Sequence, residues 1–253
     1  MGFFATSGIL NRRGFFGGSQ FAPSNIAGLQ LWLDATTGLF DATSGGNPVT
    51  TDGATIARWE DQSGSGYNVS QATLANRPIL KTGIKNSKNV IRFDGSNDVL
   101  VSANIPDNNL LTLTAFVVAN PIGLGGNNAG RMFERGTGVI NLFMNFGNGI
   151  SMIGGGGQVS GGSAPIGSFY LFGARLSGVG NSTTTLRINK ALVATGNTAS
   201  APSTANTTYQ IGNRTDTARG FNGDIAELII YNQALTTQQI DSVETYLSAK
   251  WGF

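Results

Sequence analysis

Five consecutive residues, Asp94-Gly95-Ser96-Asn97-Asp98, concentrate carboxylate, hydroxyl and amide oxygens over one short stretch. Calcium takes roughly six to eight oxygen ligands of these types, which makes Asp94, Asn97 and Asp98 the candidate metal ligands, helped by a more distant side chain. The same residues suit a tight turn in which Asp and Asn accept from their own backbone; with no second acidic cluster nearby, the turn is the favoured reading. A second constellation, Trp59, Asp61, Gln62, Ser63 and Asn68, sets an aromatic ring beside amides and a carboxylate. That combination suits a sugar, whose ring stacks on the aromatic face and whose hydroxyls need donors and acceptors. Trp32 joins it as a candidate, because alternation turns it away from Leu31 and Leu33. Trp59 also reads as core, since it ends a β-prone run.

Histidine and cysteine are both absent. A Ser-His-Asp hydrolase, a thiolate nucleophile and a His- or Cys-ligated metal site are therefore excluded. Carboxylates remain, but a retaining glycosidase needs two carboxyl groups about 5 Å apart. Glu134, Glu227 and Glu244 are isolated, and Glu60-Asp61 point to opposite faces of any strand, so no catalytic residue is assigned. Arg131 and Arg135, flanking Phe133 and Glu134, read as strand-surface charges. The run Gly154 to Gly157 is not followed by Lys-Ser/Thr or by a helix, so it is no phosphate cradle.

These residues must be positioned by a chain of 253 residues, 40% hydrophobic, 12% charged and holding 37 glycines. That composition suits an all-β domain of long sheets and tight turns. The net charge is +2, and removing Arg12 and Arg13 from the 16 basic residues leaves 14 against 14 acidic ones. The domain proper is neutral, which gives no basic stripe for nucleic acid.

β-prone runs between turn signals predict strands over 26–35, 55–59, 89–94, 98–102, 110–119, 129–135, 139–146, 149–153, 168–177, 183–189, 191–195, 207–213 and 224–231. The 89–94 and 98–102 runs predict a hairpin across Gly95-Ser96-Asn97. Alternation puts Leu29, Leu31 and Leu33 on one face, and likewise Ala226, Leu228 and Ile230. Residues 38–55 and the glycine-rich 154–164 read as loops. A terminal helix follows, with Thr236 and Gln239 as a capping box and Ile240, Val243, Leu247 and Trp251 as its buried stripe. Lys250 and Gly252 supply its stop signals.

Residues 1–25 differ from the rest, holding Phe3, Phe4, Phe15, Phe16 and Phe21 with Arg12 and Arg13. The run NRRGFFGG resembles a twin-arginine signal but lacks the apolar stretch that must follow, so no signal peptide is expected. The start also fits the loose myristoylation pattern, which is short and often matched by chance. No segment is long and apolar enough to span a bilayer. Five phenylalanines left exposed would be a solubility liability, so the segment is expected to be an arm docked on a partner chain, or else on the domain's own sheet. Met1 at its head argues against a processed secreted protein. The expected domains are thus an arm over 1–25 and a sandwich over 26–253.

Four fragments in order, LQLWLDA, RWEDQSGSGYNVSQ, RPIL with NVIRFDGSNDVL, and FNGDIAELIIYNQALTTQQIDSVETYLSAKWG, span residues 26–253. Together they resemble the LamG-like jelly-roll domains of the concanavalin A-like lectin/glucanase superfamily, as found in phage structural proteins. The resemblance implies a two-sheet antiparallel jelly-roll sandwich with one short terminal helix. Members bind glycans, bind proteins or serve as structural modules; some related lectins hold calcium, and related glycanases carry paired glutamates that this chain lacks. The resulting expectation is a non-enzymatic virion structural protein of a bacteriophage, a capsid decoration or tail appendage. It would be oligomeric within the assembly, anchored to other virion proteins by its arm, and would display the sandwich for adhesion to host-surface glycans. No cofactor is expected, calcium being the one candidate ion. A stand-alone secreted lectin-like domain is the alternative, with a glycanase behind it.

Overall fold

The computed structural model describes residues 21–105, 112–136, 140–154, 157–178, 183–197, 208–214 and 216–253. The arm residues Phe3, Phe4, Arg12, Arg13, Phe15 and Phe16 lie outside them. Among the described residues the chain forms two antiparallel sheets, of eight and nine strands. The first runs Ala191–Asn197, Thr183–Ile188, Tyr170–Ser177, Thr112–Pro121, Asn222–Tyr231, Lys88–Asp94, Ile79–Lys85, with Leu29–Asp34 also paired to Asn222–Tyr231. The second runs Gly157–Gly161, Ile150–Gly154, Ile140–Met144, Arg131–Arg135, Tyr209–Ile211, Leu100–Ser102, Val69–Ser70, Arg58–Trp59, Leu39–Phe40. This is the expected jelly-roll sandwich. The apolar run expected to be central is central: Thr112–Pro121 pairs with Asn222–Tyr231 on one side and Tyr170–Ser177 on the other.

Side chains alternate across each strand, so each sheet sends one face inward. Leu31, Leu33, Trp59, Phe93, Phe133, Leu142, Phe172, Ile211 and Leu228 meet between the sheets. A second apolar layer lies on the outside of the eight-stranded sheet, where Val90, Phe116, Val118, Ile229 and Tyr231 receive Ile240, Val243, Leu247 and Trp251 of the helix Thr237–Trp251. Each such buried side chain contributes about 1.5–3 kcal/mol of transfer free energy. The helix begins as its sequence predicts: Gln239 N donates to Thr236 Oγ1 at 3.3 Å, and Thr236 N donates to Gln239 Oε1 at 2.9 Å. It ends at Gly252 in the left-handed conformation.

Four local expectations are corrected. The 89–94 and 98–102 runs are not a hairpin: Lys88–Asp94 lies in the eight-stranded sheet and Leu100–Ser102 in the other, so Gly95-Ser96-Asn97 turns a corner between sheets. The true partner is the unpredicted strand Ile79–Lys85, joined through Asn86 and Ser87 at φ of 49° and 57°, the conformation a tight two-residue hairpin demands. Bulges break two alternations. One between Leu29 and Leu31 moves Leu29 to the helix side, and one between Ile225 and Glu227 puts Ala226 there beside Ile229. The glycine-rich stretch is not all loop, because Gly157–Gly161 pairs with Ile150–Gly154 and Ser151 Oγ lies 2.6 Å from Ser160 Oγ. Within 38–55, Leu39–Phe40 is a strand and Leu39 and Val49 join the core.

Candidate functional site

Of the sequence-selected sugar residues, Trp59 turns inward, and Trp32, Asp61, Gln62 and Asn68 are half-buried. Trp59 is fully buried between the sheets and its Nε1 donates to Asp34 O at 3.0 Å, so it has no free face. Asp61 is a loop staple, accepting from Trp32 N, Ser63 N and Tyr67 N at 2.9–3.0 Å. Asn68 Oδ1 accepts from Asp61 N, and Gln62 Nε2 donates to Glu60 O. Trp32 lies under the helix. Its Nε1 donates to Glu227 Oε1 at 2.7 Å and its ring meets Tyr246 edge-on.

Glu227 is a fully buried hub. It also accepts from Trp251 Nε1 at 2.6 Å and Tyr246 Oη at 2.9 Å, and pairs with Lys250 Nζ at 2.8 Å; Lys250 in turn reaches Asp34. Burial pushes the Glu227 carboxyl above its ordinary range, opposed by the Lys250 charge. Every partner belongs to the sheet or helix, so the hub is a clasp that fixes the helix. Phe21 packs against the same Tyr246, and Tyr231 Oη donates to Pro23 O at 2.9 Å. The packed unit therefore begins ahead of the expected boundary at residue 25.

The oxygen-rich corner is organised as a turn. Asp94 Oδ1 accepts from Ser96 N, Asn97 N and Asp98 N, Asp98 Oδ2 accepts from Asp94 N, and Asn97 Nδ2 donates to Ala75 O and Asn76 Oδ1. Burial, with the Asp94 charge second, raises the Asp98 carboxyl to about 6. Among the described residues no group of three or more His, Cys, Asp or Glu side chains could hold a metal.

Several buried polar atoms have no partner among the described residues, including Asn120 Oδ1, Arg175 Nε and Ser248 Oγ around the eight-stranded sheet and its helix. Those that line up in neighbouring strands lie on the outer face of the nine-stranded sheet. Gln210, Glu134 and Asn141 are aligned directly across three neighbouring strands, and each alternates with core residues: Ile211, Phe133 and Leu142. All three are fully buried. Among the described residues, Asn141 Nδ2, Asn141 Oδ1 and Gln210 Oε1 have no hydrogen-bond partner. Such groups normally find partners, because each unmet one costs about 1–3 kcal/mol. The next row holds Arg131 and Phe143, register partners whose guanidinium and ring lie 4.0 Å apart, followed by Ser151. Arg131 Nε donates to Glu134 Oε2 at 3.1 Å, and Arg214 Nε lies 3.9 Å from Glu134 Oε1. Arg131 and Arg135 are thus not surface charges; they are only 5% and 1% exposed, and Arg135 Nη1 turns to Gln30 Oε1.

The loop that follows Tyr209–Ile211 brings in further cations. Buried Asn213 Oδ1 accepts from both Arg214 N and Arg219 N, clipping the loop ends together, while its Nδ2 donates to Ser96 O. Arg219 O accepts from Arg131 N at 2.9 Å, which seats the loop beside the site. The 122–130 segment packs behind it so closely that a Cβ on Gly125 would sit 2.1 Å from Gly220 O. Phe146, 80% exposed, caps the turn that follows Ile140–Met144. One signal in the sequence marked this face: a single Asn inside the otherwise apolar strand INLFM.

Residues 93–241 match the laminin-G model of the concanavalin A-like lectin/glucanases superfamily. No curated protein sequence is significantly similar to the chain. Among solved structures, Trypanosoma rangeli sialidase superposes with a TM-score of 0.59 at 14% identity, over 87% of this chain and 33% of that one. The receptor binding domain of botulinum neurotoxin mosaic serotype C/D gives 0.57 at 12% identity, over 87% of this chain and 51% of that one. The binding domain of Paraclostridial Mosquitocidal Protein 1 gives 0.53 at 12% identity, over 79% and 52%. The chain spans about a third of the sialidase and about half of the toxin domains, and the likeness is one of fold. With the family match covering more than half of its length, the chain belongs to the concanavalin A-like lectin/glucanase superfamily.

Proposed function

We propose that this chain is a non-enzymatic carbohydrate-binding module, used for adhesion, whose site is the Asn141–Glu134–Gln210 row on the outer face of the nine-stranded sheet. One observation carries the reading: two fully buried amides with unmet groups among the described residues, Asn141 at both its Nδ2 and Oδ1 and Gln210 at its Oε1, the Gln210 Nε2 donating to Thr208 Oγ1. Sugar hydroxyls both donate and accept, which is what such amides lack. Glu134 is held by two guanidinium groups. Each of its carboxylate oxygens thus faces a guanidinium. The folding likeness to toxin receptor-binding domains is in keeping with adhesion. A glycan array probed with the full chain tests the proposal. Signal that disappears in Gln210→Leu supports it; silence across the array from a folded protein refutes it.

The finer reading places the module on a bacteriophage particle, as capsid decoration or tail appendage, and rests on the family resemblance and on the phenylalanine-rich composition of residues 1–20. Phe21 already packs on the chain's own helix, so the proposed docking segment narrows from residues 1–25 to residues 1–20. Deleting them should leave the unfolding transition unchanged and abolish incorporation into particles; normal incorporation of the truncated chain rejects the placement.

A further inference from the structure

Among the described residues the charges around Glu134 do not balance. Arg131, Arg214 and Arg219 converge on a region whose ion-paired carboxylates are Glu134 and Asp216. Arg131 is committed, bonded to Glu134 and stacked on Phe143. Arg214 pairs with Asp216 and leans toward Glu134. Arg219 has no carboxylate within ion-pair distance among the described residues; its Nη1 reaches only Asn127 O at 3.4 Å, and its buried Nε has no partner. A guanidinium with unmet donors, on a loop whose Arg214 and Arg219 backbone N–H groups are drawn together by Asn213, presents the planar fork that matches an oxyanion two bonds at a time. The crowding is felt at Arg131, whose guanidinium is pushed below its ordinary range by burial first, with repulsion from Arg219 and Arg214 added and Glu134 opposing.

We propose that the sugar taken by this face bears an oxyanion, a carboxylate or a sulfate, received by Arg219 with Arg214, while Asn141 and Gln210 take the neighbouring hydroxyls. The inference rests on the carbohydrate-binding reading above and narrows its ligand to acidic glycans. A neutral sugar would leave the Arg219 donors unanswered in a partly desolvated place, whereas an anion both answers them and cancels the surplus positive charge. The preference is electrostatic, so it weakens with added salt while hydroxyl recognition does not.

The test is calorimetric titration of the full chain at low and high salt. The probes are tetragalacturonate, its methyl ester, sialyllactose, lactose and a heparin tetrasaccharide. At low salt at least one acidic probe is expected to bind about tenfold or more tighter than its neutral counterpart, the size of effect one charge-assisted contact supplies. Whether the uronate and sialyl probes or the heparin probe gains most tells carboxylate from sulfate, and either outcome supports the proposal. Arg219→Gln should erase the preference and leave methyl-ester or lactose binding unchanged, while Arg219→Lys should retain part of it. Should the Arg219→Gln, Arg214→Gln double variant keep the full preference, the assignment to these residues is wrong. Equal binding of acids and neutral sugars overturns the inference but leaves the carbohydrate-binding module intact; no binding of any probe overturns both.

Discussion

Replacing Asn141 with leucine separates a residue kept for a ligand from one kept for the fold. Asn141 is fully buried in the strand Ile140–Met144, between Glu134 and Ile153 on the adjacent strands, and neither end of its amide is bonded to any described residue. Leucine is nearly the same size and carries no polar atoms. Removing a buried amide that is not repaid recovers part of a penalty of about 1–3 kcal/mol per group, and the leucine adds apolar burial. We expect Asn141→Leu to raise stability by about 1–2 kcal/mol, which for a domain of this size is about 3–6 °C in Tm. Binding to any glycan held by the wild type should fall about tenfold or more. The assays are urea unfolding and titration with that glycan. A loss of about 1 kcal/mol or more would refute the reasoning, since it would show the amide satisfied within the fold. Gain of stability with undiminished binding would detach Asn141 from the site.

Lys250→Met leaves Glu227 buried with its charge uncompensated, and should cost about 3–5 kcal/mol, read by urea unfolding; a change under about 0.5 kcal/mol would show the clasp to be unimportant. Gly212→Ala should cost about 3 kcal/mol by the same measurement, because a Cβ there, at φ +81°, would lie 2.1 Å from the Phe93 ring; wild-type stability would mean the ring yields freely. Asp98, raised to about 6, favours the folded state in its neutral form, so its contribution is complete below about pH 4 and is lost as pH rises through about 6. Asp98→Asn should therefore be the more stable protein at neutral pH, by about 2 kcal/mol, with the difference vanishing near pH 4; a constant difference across that range would disprove the linkage.

What could be read from residues alone follows the range of the forces involved. The terminal helix was legible in full because its cap, stripe and stop are local, set within fifteen residues. Most strands were legible from apolar runs bounded by turns. Pairing was not. Lys88–Asp94 and Leu100–Ser102 look like a hairpin, and only the sandwich, which needs the chain to change sheets there, decides otherwise. Ile79–Lys85 was missed because Lys81, Thr82, Gly83 and Lys85 leave it almost no apolar pattern. The bulges at Leu29/Leu31 and Ile225/Glu227 cannot be seen in composition, yet they decide that Ala226 and Glu227 both face the helix. The site was harder still. Tryptophans drew attention because they could stack on sugars, but Trp32, Trp59 and Trp251 are spent on Glu227, Asp34 and the core. Asn141 and Gln210 are ordinary in sequence, and are drawn to either side of Glu134 only when strands far apart in the chain are set in register.

The two buried carboxylates on the outer faces of the sandwich have differently answered surroundings, and that contrast supports the proposed placement of the glycan site. Under the helix, the Glu227 carboxylate takes two indole N–H groups, a phenol and an ammonium, so that carboxylate has nothing left to offer a ligand. On the opposite face the Glu134 carboxylate is likewise held by guanidiniums, yet the amides beside it and Arg219 above it keep groups unanswered among the described residues. A fold stabilised only for its own sake would replace those amides with valine or leucine, as the neighbouring core positions Leu142 and Ile211 already show. Keeping them costs stability, and that cost is tolerable because the helix clasp and the inter-sheet core hold the sheets without them. The clasp fixes the helix to its sheet, and the unanswered amides and guanidinium near Glu134 are what the proposed glycan would satisfy.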